Sequence, residues 1–356
     1  MNDPRPPLEP LTGAPPPRTE EELEEYLSRP PGPARVAMAE LAGDLIVLGA
    51  GGKMGLSVSR MARRALDLAG KTGTRVTAVS RFGDPAVRQA FTSAGIETVS
   101  ADLLDDGALE ALPDAPNVLY LAGMKFGSSD RLAYTWAMNA LLPAMAARRY
   151  RASRIVALST GNVYPMVPIV SGGAREEDAP GPVGDYAQSC LGRERMLTYW
   201  SEREGTPVTL VRLNYANALV YGVLLDIAQR VMAREPVDLS PGAANVIWQG
   251  DANAAILGAF GLCASPPAVL NVSGPETVSV RWVAERFAAL LELPTPEFVG
   301  SEPGTAFLAN TSRMHARFGY PTVALGQLVE WTAAWLASGG RVLGKPTHFE
   351  VRDGQF

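Results

Sequence analysis

From Asp44 onward, short β-branched runs alternate with amphipathic stretches, and this alternation limits the fold more than any other feature of the chain. The runs "DLIVLG", "RVTAVS", "IETVSA", "NVLYLAG", "RIVALST", "VTLVRLN" and "AVLNVSG" are separated by stretches such as "GLSVSRMARRALDLAG", "DPAVRQAFTSAG" and "RLAYTWAMNALLPAMAARRY". Apolar runs without polar alternation suit strands covered on both faces, and the helical stretches supply the covers. Right-handed crossovers then give an α/β fold with a doubly wound parallel sheet. After Asn214 the spacing loosens and proline becomes frequent, as in "LSPGAANVIWQG" and "LELPTPEFVGSEPGTAF". That change reads as a smaller C-terminal lobe. The expected division is a Pro-rich arm and N-terminal helices over 1–43, the main domain over 44–213, and the lobe over 214–356, with 246–273 returning to the main sheet. Residues 1–18 read as a flexible or extended arm. Thr19 and Glu22 form a capping box for a short acidic helix stopped by Pro30 and Pro31, and a second helix is expected over 34–41.

The totals exclude several partners. With 32 basic and 37 acidic residues and a net charge of -5, the chain has no block of basic residues to meet a polyanion, so nucleic acid is not an expected ligand. Cys190, Cys263, His315 and His348 are too few for a disulfide framework or a histidine-rich metal site, so no metal is expected. The N-terminus lacks a signal-like apolar run, and no stretch of about 18 apolar residues offers a membrane span. A soluble, cytoplasmic protein without a membrane partner is the expectation.

The first strand-to-helix junction carries "VLGAGGKMGLS", with Gly49, Gly52 and Gly55 around Lys53 and Met54. Glycines at this junction permit a tight turn and a close backbone approach to a pyrophosphate, whose charge a helix N-terminus favours. The second strand ends in Ser80 and Arg81, where an NAD-preferring chain would carry an acid for the ribose hydroxyl. A hydroxyl and a guanidinium suit a 2′-phosphate, so NADP is expected and NAD is the alternative. Asp102 and Leu103 are candidates to meet the adenine. Leu121, Ala122 and Gly123 follow the fourth strand, where a cofactor ribose can pass closely.

The fifth strand ends "LSTGNVYP", and Tyr186 follows in "GDYAQSCLGRERM". Two hydroxyls, Thr160 and Tyr186, at one sheet edge beside a nicotinamide can hold a substrate oxygen while hydride moves to or from its carbon. Asn162, Tyr164, Gln188, Asn217, Trp248 and Gln249 are further polar candidates for the substrate side.

Taken together, "GAGGKMG", "LAGMKFG", "STGNVYP", "YAQSCLGRE", "VRLNYAN" and "LNVSGPETVSV" resemble the NAD-dependent epimerase/dehydratase family, the extended short-chain dehydrogenase/reductases, from about Asp44 to Leu336. The resemblance implies a Rossmann domain of strand order 3-2-1-4-5-6-7, a C-terminal substrate lobe, a carbohydrate-like substrate and a homodimer built on helices flanking the sheet. It places Thr160 at the family's catalytic serine or threonine, Tyr186 at its acid/base tyrosine, and Asn139 at a supporting helix asparagine. Asn214 falls among the cofactor-side residues.

Two departures stand out. Cys190 occupies the place of the lysine that would hold the nicotinamide ribose and lower the tyrosine pKa, a task that a neutral thiol does not perform. Lys125 is the expected replacement cation, reaching the substrate or Tyr186, whereas Arg193 is expected in a salt bridge with a neighbouring acid. Ala244 and Asn245 stand where many nucleotide-sugar members carry a diphosphate-binding arginine, which points to a free sugar, sugar acid or polyol. The expected activity is an NAD(P)-dependent oxidoreductase or epimerase. The alternative is an NADP-binding sensor or scaffold that has lost catalysis, and dehydratase-type lyase chemistry ranks below both because Gly161 and Asn162 follow Thr160 where acidic residues are usual.

Overall fold

The computed structural model describes residues 11–125, 127 and 130–354. The first ten residues of the arm and Phe126 of "LAGMKFG" lie outside the described residues.

Seven strands form the central sheet: β1 Leu45–Leu48, β2 Val76–Ser80, β3 Glu97–Ser100, β4 Asn117–Tyr120, β5 Arg154–Thr160, β6 Val208–Leu213 and β7 Ala268–Val272. They lie side by side in the order 7-6-5-4-1-2-3, and every neighbouring pair is parallel. Alternate residues of β1 enter different cores: Leu45 and Val47 face one helical layer, while Ile46 and Leu48 face the other. This period of two, with no exposed face, explains the uninterrupted apolar run in the sequence. The chain reverses its direction of winding beside β1 and β4. Their C-terminal ends therefore open the crevice in which doubly wound sheets bind ligands.

The Gly184–Glu204 helix packs along the sheet on the β5 side. A separate core fills the lobe, built from Trp248, Trp331, Trp335 and Phe287 and joined by Leu23 and Leu27 of the N-terminal helix. The Gln249–Gly258 helix packs against the Gly55–Leu68 helix, and the chain then re-enters the sheet as β7.

The arm, read from composition as flexible or extended, is described from Leu11. From Leu11 it is docked on the lobe: Leu11 is buried, Gln327 Nε2 donates to its carbonyl, and Trp331 Nε1 donates to the Ala14 carbonyl at 3.1 Å. At the other end, the chain beyond the Leu325–Ala337 helix runs back over the crevice. Asp226 accepts from both the backbone and the hydroxyl of Thr347, and Arg352 donates to the carbonyls of Ser240 and Thr305.

Candidate active site

A cavity of about 480 Å³ lies where the glycine junction, the ends of β4, β5 and β6, the lobe and the returning C-terminal segment meet. One end is backbone. Gly49 turns through φ +84°, and a Cβ there would lie 2.5 Å from the Ala122 nitrogen. A Cβ on Gly55 would strike the Ala50 carbonyl, and one on Gly51 would strike the Ser80 hydroxyl. Gly52, Lys53, Met54 and Gly55 line the cavity, and Met54, the N-cap of the Gly55–Leu68 helix that begins there, makes no side-chain cap bond. Uncapped N–H groups at a glycine-lined helix start fit a pyrophosphate. Leu121 and Gly123 also line the cavity, while Ala122 packs against Gly49.

Ser80 ends β2 beside Gly51, and Arg81 is exposed, its carbonyl accepting from Ser100 Oγ at 3.0 Å. Asp102 Oδ1 accepts from the Leu104 amide, and Leu103 is turned into the core beneath the sheet edge rather than toward the cavity.

The other end is made of side chains. Tyr186 stands in the first turn of the Gly184–Glu204 helix and projects into the cavity, its hydroxyl engaged with the side chains of Thr160 and Cys190. Thr160 ends β5, where its hydroxyl donates to Asn162 Oδ1 at 3.1 Å and accepts from the Asn162 amide at 3.2 Å. Burial pushes the Tyr186 phenol above the usual tyrosine range, the adjacent Cys190 adds to the rise, and the Arg193 guanidinium opposes it. Burial also raises the Cys190 thiol, so this position contributes no charge near neutral pH.

Three lysines border the same space. Lys125 Nζ donates to the Thr347 carbonyl at 3.1 Å and lies 5.9 Å from the centre of the Tyr186 ring; burial lowers its pKa to about 8. Lys53 Nζ sits 3.0 Å over the Tyr221 ring, and burial lowers its pKa to about 7, with repulsion from Lys125 and Lys345 adding to the fall.

Asn139 is fully buried at the π-helical turn Ala137–Leu141. Its Nδ2 donates to Ser189 Oγ and the Met124 carbonyl, while its Oδ1 accepts from the Met124 amide at 2.8 Å and from Arg193 Nη2 at 2.8 Å. Among the described residues Arg193 does not make the carboxylate salt bridge expected of it. Its neighbour Glu194 is taken by Arg212 at 2.7 Å and by the Ser159 hydroxyl at 2.6 Å.

Of the polar residues expected on the substrate side, Asn162, Lys125 and Gln249 line the cavity, and Gln249 donates to Ser57 Oγ at 3.0 Å. Asn214 lines it too and donates to Asn245 Oδ1. Four others lie elsewhere. Tyr164 is buried with its hydroxyl between Asn271 and Arg212, and Gln188 is on the exposed side of its helix. Asn217 Oδ1 accepts from the Leu224 amide at the start of the Val223–Ala233 helix, and Trp248 is packed edge-on against Trp331 at 5.4 Å in the lobe core. Hydrogen-bonding or packing demand claims Tyr164, Asn217 and Trp248, and Gln188 faces away from the cavity. Sequence reading missed Tyr215, Tyr221, Lys345 and Thr347, all of which line the cavity. The two tyrosines are aromatic residues just beyond the end of β6, a usable signal, but nothing local marks Lys345 or Thr347 as neighbours of a site so distant in the chain.

The sequence profile of the NAD dependent epimerase/dehydratase family matches residues 45–229, just over half of the chain. The chain belongs to this family. Among solved structures, UDP-glucuronic acid 4-epimerase from Bacillus cereus, in complex with UDP-glucuronic acid and NAD, superposes with a TM-score of 0.66 at 16% identity, covering 83% of this chain and 99% of that one. UDP-glucose 4-epimerase from Thermus thermophilus, in complex with NAD, gives 0.65 at 20% identity, covering 82% and 98%. Pal from Bacillus thuringiensis gives 0.67 at 17% identity, covering 83% and 99%. No curated protein sequence matches significantly. At these identities the solved structures share the fold. The family match ends within the Val223–Ala233 helix, so most of the lobe and the returning C-terminal segment lie beyond it.

Proposed function

We propose that this family member is an NADP-dependent oxidoreductase or epimerase acting on a secondary alcohol or ketone carbon of a sugar-like, non-nucleotide substrate. One observation carries the reading: the hydroxyls of Tyr186 and Thr160 meet on the wall of a cavity whose opposite end is a glycine-lined helix start. The bound nicotinamide would supply hydride exchange with the substrate carbon. Gly49, Gly52 and Gly55 would hold the pyrophosphate, and Gly123 would admit the ribose. Thr160 would hydrogen-bond the reacting oxygen, and Tyr186 would give a proton to it in reduction or take one in oxidation. Lys125 would face the substrate, and the C-terminal segment bearing Lys345 and Thr347 would exclude water from above.

Ser80 and Arg81 support NADP, because β2 ends without the carboxylate that would repel a 2′-phosphate. The related solved structures contain NAD, so releasing the nucleotide by denaturation and weighing it by mass spectrometry decides between the two. Although two of those proteins are named for UDP-sugars, the place of a diphosphate-binding arginine is filled here by Ala244 and by Asn245, whose amide is tied to Ala309 and Asn214. Turnover of UDP-hexoses in preference to free sugars, sugar acids and polyols would overturn the non-nucleotide assignment.

A homodimer accompanies this reading. Leu132, Trp136, Leu141, Met196 and Tyr199 are exposed on adjacent helices beside the sheet, an apolar face suited to a second copy. Met196→Glu should shift light-scattering mass from dimer to monomer. The two thiols are free, which suits a reducing cytoplasm.

A further inference from the structure

With a buried neutral thiol at position 190, the charge that would stabilise a Tyr186 phenolate must come from elsewhere in the site. Arg193 lies seven residues after Tyr186, so the two share a helix face. Its side chain reaches across to the C-terminal ends of β4 and β5. Nη1 donates to the Leu158 carbonyl at 2.6 Å and Nη2 to Asn139 Oδ1 at 2.8 Å. The guanidinium sits close against Gly123, where any Cβ would collide with it, and 5.9 Å from the centre of the Tyr120 ring. The residue is 6% exposed, and it lines the same cavity as Tyr186 and Thr160.

Both of its hydrogen-bond acceptors are neutral, and among the described residues no carboxylate forms a salt bridge with it. Its Nε is buried without a hydrogen-bond partner among the described residues. Glu194 acts on it through space, but that carboxylate is ion-paired with Arg212, so the guanidinium's charge is only partly offset. An arginine also stays charged throughout the working pH range, whereas burial brings Lys125 down to about 8 and Lys53 to about 7.

We propose that Arg193 takes over the electrostatic work of the absent lysine: it is the fixed cation that stabilises the Tyr186 phenolate and braces the site through Asn139 and Leu158. Arg193 is thus a positioning residue that acts through Tyr186. When Tyr186 Oη gives its proton to the substrate oxygen as hydride arrives at the adjoining carbon, the O–H bond of the phenol breaks, the substrate O–H bond forms, and the charge left on the phenolate is met by the guanidinium. This inference rests on the acid/base role proposed for Tyr186, but its test needs no substrate and no turnover.

The test replaces Tyr186 with a fluorinated tyrosine of lower intrinsic pKa in the full-length protein saturated with NADP, and follows its titration by fluorine NMR. Arg193→Met should raise the midpoint by more than one unit, a tenfold loss of phenolate at fixed pH, and adding Cys190→Lys to that variant should bring it back. In the otherwise native chain, Cys190→Lys should lower the midpoint by less than half a unit, because a cation already serves the site. This arm decides the matter if Arg193→Met does not fold. An unchanged midpoint in folded Arg193→Met, or a fall of more than one unit in Cys190→Lys alone, would overturn the proposal. If the Arg193 result holds while Tyr186→Phe retains turnover, the acid/base role fails and the electrostatic inference stands.

Discussion

The two ends of the cavity are built on different principles. At the glycine junction a single short segment makes the site from backbone: Gly49 turns the chain, and Gly51 and Gly55 allow the strand, the helix and their neighbours to close up. At the tyrosine end, β5, the Tyr186 helix, the loop after β4, the lobe and the C-terminal segment each contribute a side chain. The first arrangement tolerates almost no added atom. The second can lose an expected residue, as it has at Cys190, while other side chains remain in reach. Contiguous backbone sites are rigid in sequence, and sites assembled from distant side chains are free to redistribute charge.

The sharpest way to break the contrast is at Tyr186. Under the proposed function, Tyr186→Phe should lower turnover by about a thousandfold, within the range of a lost general acid/base, and leave NADP affinity within about twofold; steady-state rates and a cofactor titration measure the two quantities. Gly55→Ala should do the reverse at the other end. The added carbon meets the Ala50 carbonyl, so the fold should lose about 3 kcal/mol and bind cofactor at least tenfold more weakly, as read from denaturant unfolding and fluorescence titration. Arg81→Ala tests the edge of the backbone site: losing a charge-assisted contact should weaken NADP binding about tenfold and leave NAD binding unchanged.

The smallest effect concerns the lysines between the two ends. Lys53 and Lys125 are lowered to about 7 and about 8, so both are protonated and favour an anionic ligand below those values and lose that attraction above them. NADP affinity should therefore fall a few-fold between pH 6.5 and 8.5 (roughly half a unit beyond the two lysine midpoints), and Lys53→Met should flatten part of that slope in calorimetric titrations. The free protein should show the opposite trend. Because the unfolded chain keeps its lysine protons to higher pH than the native one, stability contributed by these groups rises with pH from about 7 toward the ordinary lysine value of 10.5.

The same contrast governs what could be read from the sequence. The sheet and its order were legible because each strand is buried on both faces and appears as an apolar run, and the glycine junction was legible because its determinants are contiguous. Thr160 and Tyr186 were legible by their places at a strand end and a helix start. Trp248 was misplaced because its packing partner Trp331 is far along the chain, and Asn217 because its side chain is turned to the Leu224 amide at the next helix start. Lys345 and Thr347 reach the cavity because contacts distant in the chain, among them those of Asp226 and Arg352, anchor the returning segment. Arg193 was read as a salt-bridge residue. Its acid is taken by Arg212, a strand residue whose direction the sequence does not display.

Under the proposed function this cavity moves hydride with Tyr186 as the proton donor or acceptor. A single-turnover measurement tests it most directly, mixing NADPH-loaded protein with a panel of keto-sugars and keto-acids and following the reduced-nicotinamide absorbance. A loss of absorbance stoichiometric with sites is expected for at least one compound, absent in Tyr186→Phe with cofactor still bound. Equal bursts in the two proteins, or bound cofactor that stays reduced with every compound, would contradict it.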